Sequence, residues 1–199
     1  MITRKEMTRM LLKEGLLSWL ANNSFESVTV TSLCKASGIT RSTFYLHYSN
    51  IMEIVDDLVD DAIAYSKPGM VDNNNLQTIA NTLSAASNSV SLREAYDSIF
   101  DRLPLCQRII RHKKYLPLFL DEQISEYVLQ RIIGREKDRQ GLVIAESLGI
   151  SFDVGVSVFV FLVHGLYAVN KQYKWSQTDE WLEAQKIIFE LVYRGLQRR

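Results

Sequence analysis

Between residues 28 and 48 the chain reads Val-Thr-Val-Thr-Ser-Leu-Cys-Lys-Ala-Ser-Gly-Ile-Thr-Arg-Ser-Thr-Phe-Tyr-Leu-His-Tyr. Hydrogen-bonding side chains crowd together here at a spacing that could do chemistry. Arg41, Ser42, Thr43, Tyr45 and His47 offer a guanidinium, two short hydroxyls, a phenol and an imidazole. These groups match what a base edge in a major groove and a phosphate oxygen require. The chemistry is recognition. No Ser/His/Asp order, Gly-rich phosphate loop or Cys/His cluster accompanies these residues, so neither catalysis, a metal nor a cofactor is expected.

The elements that must position these residues can be read around them. Thr29 caps a short helix over 30–36, with Leu33 and Ala36 expected to face inward. Gly38 falls where a tight interhelical turn needs positive φ, which glycine adopts without strain. Ile39 is the apolar pin of that turn, and Thr40 caps a second helix over 40–47. Two short helices joined this way form a helix-turn-helix unit, whose second helix enters the major groove. Phe44 and Tyr48, four residues apart, pack inward and leave Arg41, Ser42, Thr43, Tyr45 and His47 outward.

On these residues the chain resembles the TetR/AcrR family of bacterial transcription regulators over about residues 5–62. The resemblance rests on Val28-Thr29-Val30, on Leu33 to Thr40, and on Ser42-Thr43-Phe44-Tyr45-Leu46-His47-Tyr48, with Trp19-Leu20 and Phe25 fitting the first helix and the turn after it. It implies that Arg41, Ser42, Thr43 and Tyr45 touch bases or nearby phosphates. It also implies that His47 and the aromatics brace the reading helix, and that Thr29, Thr31 and Ser32 bind phosphate. Two positions depart from the family pattern. Ile51 stands where the family most often has a phosphate-clamping Lys, and Ser24 where it usually has Gly. Loss of that Lys removes one counterion-releasing contact.

Charge agrees with this placement. The 199 residues carry 23 Lys+Arg against 23 Asp+Glu, which excludes a uniformly basic coat protein. The balance is uneven, however. Residues 1–50 are net +3 and residues 51–66 net −5, so the N-terminal part is the one suited to a polyanion. Asp56, Asp57, Asp60 and Asp61 recur at helical spacing after it and read as a solvated face.

Elsewhere the 3.6-residue period dominates and strand alternation is lacking, so the fold class is all-α. Helices are expected near 3–22, 30–36, 40–47, 51–66, 76–89, 92–102, 105–114, 117–138, 152–172 and 179–197. Thr3 with Glu6, Asn50 with Glu53, and Ser91 with Glu94 fit capping boxes. The polar stretch 67–75 is the linker. The organisation is an N-terminal three-helix helix-turn-helix domain over 1–50, a connecting helix over 51–66, and a larger domain over 67–199, which the resemblance implies is for ligand sensing and dimerisation.

In that larger part Tyr96, Phe100, Tyr115, Phe119, Phe159, His164 and Tyr167 are candidates for lining an effector pocket. His164 also suits a hydrogen-bonded core or interface position, and the run Arg108 to Lys114 suits an exposed helix end. Residues 154–169 are apolar on nearly all sides. At 16 residues the run is short of the roughly 20 that span a bilayer, so no membrane partner is expected. A helix of this kind must be covered all round. With the stripe Trp181, Ala184, Ile188, Leu191 and Gly195, it suits a two-fold four-helix interface in which Gly165 and Gly195 allow close approach.

Cys34 and Cys106 form no disulfide framework, and the charged start lacks a secretory apolar region, so a cytoplasmic location is expected. Together with these residues, the resemblance implies a homodimeric repressor, released from a palindromic double-stranded DNA operator by a small molecule of unknown identity. The alternative is a ligand- or protein-binding module of the same fold with weakened DNA binding.

Overall fold

The computed structural model describes residues 3–65, 75–103, 107–108 and 113–196. Among them are ten α-helices, two 3-10 turns (Phe25–Ser27 and Phe100–Arg102) and no strand. The chain is all-α. Its helices are α1 (Arg4–Leu20), α2 (Val30–Ser37), α3 (Arg41–Tyr45), α4 (Ile51–Tyr65), α5 (Asn75–Ser84), α6 (Ser89–Ser98), α7 (Leu116–Leu120), α8 (Ser125–Leu148), α9 (Phe152–Gln172) and α10 (Asp179–Leu196). The expected linker, Cys106 and most of the expected 105–114 helix lie outside the described residues.

Two compact units divide the chain. One combines Met1–Ser66 with His112–Gly134, and the other combines Lys67–Arg111 with Arg135–Arg199. Helix α8 contributes Ser125–Gly134 to the first unit and residues 135–148 to the second.

In the first unit α1 begins with a closed capping box: Glu6 N–H donates to Thr3 Oγ1 at 3.2 Å, and Thr3 N–H donates to Glu6 Oε2 at 2.7 Å. Leu12 and Leu16 of α1, Leu33 of α2, Phe44 of α3, and Ile54 and Leu58 of α4 are fully buried and form the core. Helix α7 adds Leu118 and Phe119, and α8 adds Val128. Asp121 explains why the helix expected over 117–138 is broken. Its Oδ1 accepts from the N–H groups of Gln123 at 3.0 Å and Ile124 at 3.2 Å. A carboxylate bonding its own backbone two residues on makes a turn that ends α7 and starts α8. Helix α8 then runs ten residues beyond the expected end and stops at Gly149, whose φ of 63° and following Ile150 N–H to Ala145 O bond make a glycine C-cap.

In the second unit Ile79 and Leu83 of α5, Leu92 and Tyr96 of α6, Val163, Leu166 and Tyr167 of α9, and Trp181, Leu182 and Phe189 of α10 form the core. Helix α6 starts earlier than expected because Asn88 with Ser91, rather than Ser91 with Glu94, closes its box: Ser91 N–H donates to Asn88 Oδ1 at 2.9 Å, and Asn88 N–H to Ser91 Oγ at 3.1 Å. Helices α8 and α9 cross in backbone contact at Gly141 and Gly155. A Cβ on Gly155 would lie 2.3 Å from the Gly141 carbonyl oxygen, so both positions require glycine. The close approach within the chain is thus at these residues, while Gly165 and Gly195 face open space.

Helix α9 is 21 residues with a mean hydropathy of 1.9 in its most apolar window, long and apolar enough to cross a bilayer by length and composition. Counting only the 16-residue apolar run understated it, because Phe152, Asp153 and the polar end to Gln172 continue the same helix. Only 22% of that window is buried within the chain. Phe161 is 71% exposed, and Val154, Gly165 and Ala168 are exposed on the same side. Helix α10 likewise exposes Ile187 and Leu191, the latter by 67%.

Candidate nucleic-acid interface

The site is built on two capped helices and the turn between them. Thr29 and Ser32 form a reciprocal cap at the start of α2: Ser32 N–H donates to Thr29 Oγ1 at 3.0 Å, and Thr29 N–H to Ser32 Oγ at 2.9 Å. Ser32 Oγ also bonds the Thr29 carbonyl at 3.0 Å. Both hydroxyls are therefore engaged in holding the helix start, and the exposed Thr31 hydroxyl and the N–H groups of the first turn are what α2 offers to an anion. Gly38 ends α2 at φ 66°, and Ile39 N–H donates to Cys34 O at 2.9 Å. The positive φ expected at Gly38 is present. Ala36, expected to face inward, is exposed, and Cys34 is buried with Leu33 in its place. Leu33 and Ser37, one turn apart, are the residues of α2 that face Gly15 of α1.

Thr40 caps α3 by accepting from Thr43 N–H at 3.2 Å, and its hydroxyl also meets those of Ser42 at 3.0 Å and Thr43 at 2.8 Å. Helix α3 is shorter than expected, Arg41–Tyr45, because Leu46 and His47 close it with i−3 bonds to Thr43 O and Phe44 O. Phe44 and Tyr48 are buried, with ring centroids 6.2 Å apart. Arg41, Ser42 and Tyr45 are exposed, while Thr43 and His47 are half-buried. Leu46 is 80% exposed beside them. Sequence reasoning passed over it, since an apolar residue between Tyr45 and His47 resembles core. Its exposure gives the surface a group suited to the methyl of a thymine.

One carboxylate ties this surface to the rest of the unit. Asp57 Oδ2 of α4 accepts the Tyr48 hydroxyl at 2.6 Å and Arg9 Nε of α1 at 3.1 Å, and Arg9 Nη2 makes a further ion pair to it. The Arg9 guanidinium lies 4.9 Å over the Tyr48 ring. Burial alone would raise the Asp57 pKa, but the Tyr48 and Arg9 hydrogen bonds outweigh it and hold the carboxyl below the usual range. Burial, and then the bond to Asp57, push the Tyr48 phenol upward.

The acidic residues of α4 are thus not a solvated face. Lys13 of α1 pairs with Asp61. Asp56 accepts the Tyr127 hydroxyl of α8 at 2.6 Å and pairs with Arg131 at 3.1 Å. The helical spacing that reads as a like-charge face is real, but the partners come from α1 and α8, 48 or more residues away in sequence. Two of the cations counted toward the N-terminal net charge, Arg9 and Lys13, are spent inside the unit. Lys35 and Arg41 make no ion pair among the described residues. Ile51, where a Lys was expected from the resemblance, is half-buried at the start of α4.

The effector candidates do not gather in one unit. Tyr115 and Phe119 lie in the first, where Tyr115 meets Tyr65 of α4 with ring centroids 6.5 Å apart. Tyr96, Phe100, Phe159, His164 and Tyr167 lie in the second. His164 is half-buried with Nδ1 2.9 Å from the Val160 carbonyl, which requires the proton on that nitrogen. Tyr96 is 1% exposed and bonded to Gln107. No family model, curated protein or solved structure matches the chain.

Asp57 carries a pH prediction. A carboxyl whose folded pKa is depressed contributes stability above its unfolded value of about 3.9, and that contribution is lost as pH falls through the lower folded value. Asp57→Asn should cost about 1–3 kcal/mol at pH 7 and flatten the acid limb of stability below about pH 5. Denaturant melts of both proteins across that range read the effect. Parallel acid limbs would show that Asp57 is not what couples α3 to α1 and α4.

Proposed function

We propose that this chain is a DNA-binding transcription regulator, with α2 and α3 as a helix-turn-helix unit that presents Arg41, Ser42, Thr43, Tyr45 and Leu46 to the major groove. The observation that carries the reading is the outward set on α3. A polar and aromatic surface on a five-residue helix is held from behind by fully buried Phe44 and by Tyr48 bonded to Asp57. Side chains backed by a rigid frame can read base edges. Thr31, the first-turn N–H groups of α2, and the half-buried His47 are the contacts proposed for phosphate. As a repressor in the cytoplasm, the protein would leave its operator when a small molecule binds its two conformations unequally.

The pairing of Arg9 and Lys13 with α4 favours a second reading, a module that keeps this surface for a ligand or protein. With fewer cations free, the sequence-independent part of DNA affinity falls. The two readings part on specificity. Thr43→Ala and Tyr45→Ala should each weaken binding to duplex DNA flanking the protein's own gene about 5- to 150-fold, from roughly 1–3 kcal/mol per base contact, with a smaller loss on random DNA. Equal losses on both duplexes, or no specific binding by the wild type, would favour the module.

The regulator is proposed to act as a homodimer. Phe161 and Leu191 stand on apolar faces of α9 and α10 that the chain itself leaves uncovered, and a second copy covers both by two-fold symmetry. These residues are better probes than Phe159 and Ile188, which are half-buried. The wild type should have twice its 22.9 kDa chain mass at micromolar concentration, and Phe161→Glu or Leu191→Glu should give monomers that lose the operator. A monomeric wild type, or a membrane-associated one in fractionation, would overturn the dimer.

A further inference from the structure

The core of the second unit holds a polar cluster that packing alone does not account for. Tyr96 donates its hydroxyl to Gln107 Oε1 at 3.1 Å, and Gln107 Nε2 donates to Gln185 Oε1 at 2.9 Å. Trp181 meets Tyr96 edge-on at 5.1 Å, and its Nε1–H donates to Asn170 Oδ1 at 2.9 Å. Trp181 and Gln185 are one turn apart on α10 and so share a face. Gln107, Asn170, Gln185 and Trp181 are each 0% exposed.

Two donors at the ends of this cluster are left over. Asn170 Nδ2 and Gln185 Nε2 are buried and meet no acceptor among the described residues. The Asn170 orientation follows from its partner. An indole N–H can only donate, so the amide oxygen must face Trp181 and the Nδ2 group must face away. A buried donor without a partner is destabilising, and two of them in one cluster is a feature that native cores avoid. The side chains that make up the cluster are themselves neutral, which suits a neutral ligand better than a carboxylate.

We propose that Asn170 and Gln185, oriented by Trp181, Gln107 and Tyr96, form the polar end of a binding site for a neutral small molecule carrying a carbonyl oxygen. Only in calling that molecule the effector does this rest on the regulator reading. The carbonyl accepts from the two amide groups, and the Trp181 and Tyr96 rings contact its apolar body. Of the candidates drawn from the sequence, Tyr96 belongs to this site. Gln107, Asn170 and Gln185 escaped notice because amides spread over 78 positions form no motif, and Trp181, expected in the interface stripe, is instead buried within the chain.

The test uses the full-length chain labelled with nitrogen-15, and cyclopentanone as probe with cyclopentane as the matched ring lacking an acceptor. Cyclopentanone should shift the side-chain NH₂ resonances of Asn170 and Gln185 saturably, and cyclopentane should leave them in place. Gln185→Met, which keeps length but removes the donor, should keep the backbone spectrum and lose about tenfold in cyclopentanone affinity, or 1.4 kcal/mol. Equal shifts with both rings would overturn the proposal in favour of a purely apolar cavity. Absence of any shift, with cross-peaks from these NH₂ groups to a long-lived water, would overturn it in favour of a structural water. The readout contains no DNA, so failure of the regulator reading leaves its outcome unchanged.

Discussion

The first unit depends on the Asp57 carboxylate more than on any other polar group. Phe44 would bury itself against α1 and α4 by the hydrophobic effect alone, but that force is non-directional and does not fix the rotation of a five-residue helix. A helix this short is also marginal by itself, since it makes few of its own hydrogen bonds per residue fixed. Asp57 supplies direction. By holding the Tyr48 hydroxyl and the Arg9 guanidinium at one oxygen, it joins the residues that close α3 to α1 and α4 together. Hydrogen bonds to an ionised, partly buried acceptor are stronger than neutral ones, and the Arg9–Tyr48 stacking adds to them.

That arrangement has a consequence for recognition. The acids of α4 do not repel a polyanion as an exposed row would, because Asp56, Asp57 and Asp61 have partners on α1 and α8. The same pairing withdraws Arg9 and Lys13 from any phosphate. A surface with few free cations binds random DNA weakly, so discrimination by the proposed reading helix would rest on the geometry of Arg41, Thr43, Tyr45 and Leu46 rather than on attraction at a distance. Rigid support behind α3 then matters more than net charge.

Much of this unit was legible in the sequence because its determinants are local. Gly38, the caps at Thr3, Thr29 and Thr40, and the inward pair Phe44 and Tyr48 all act within four residues, and each stands as read. What escaped reading acts at long range. Nothing near Asp57 in sequence reveals that Arg9 lies beside it, and nothing near Asp121 reveals that one of its oxygens accepts from Phe25 N–H at 2.7 Å. Spacing placed the acids on a common face but could not say what the face met. The same holds for Tyr115 and Phe119, which look like pocket aromatics by composition and belong to the first unit by packing. In the second unit the exposed side of α9 was legible as an excess of apolar residues, whereas the amide cluster was not.

A selection from a random-sequence duplex library by the purified full-length protein at about 0.15 M salt, where surface charge is screened beyond roughly 8 Å, addresses the central claim most directly. The account predicts enrichment of an inverted repeat whose half-sites lie one helical turn apart, about 34–36 Å, or a multiple of it. A bound population with no enriched sequence would contradict it, as would no retained DNA at all.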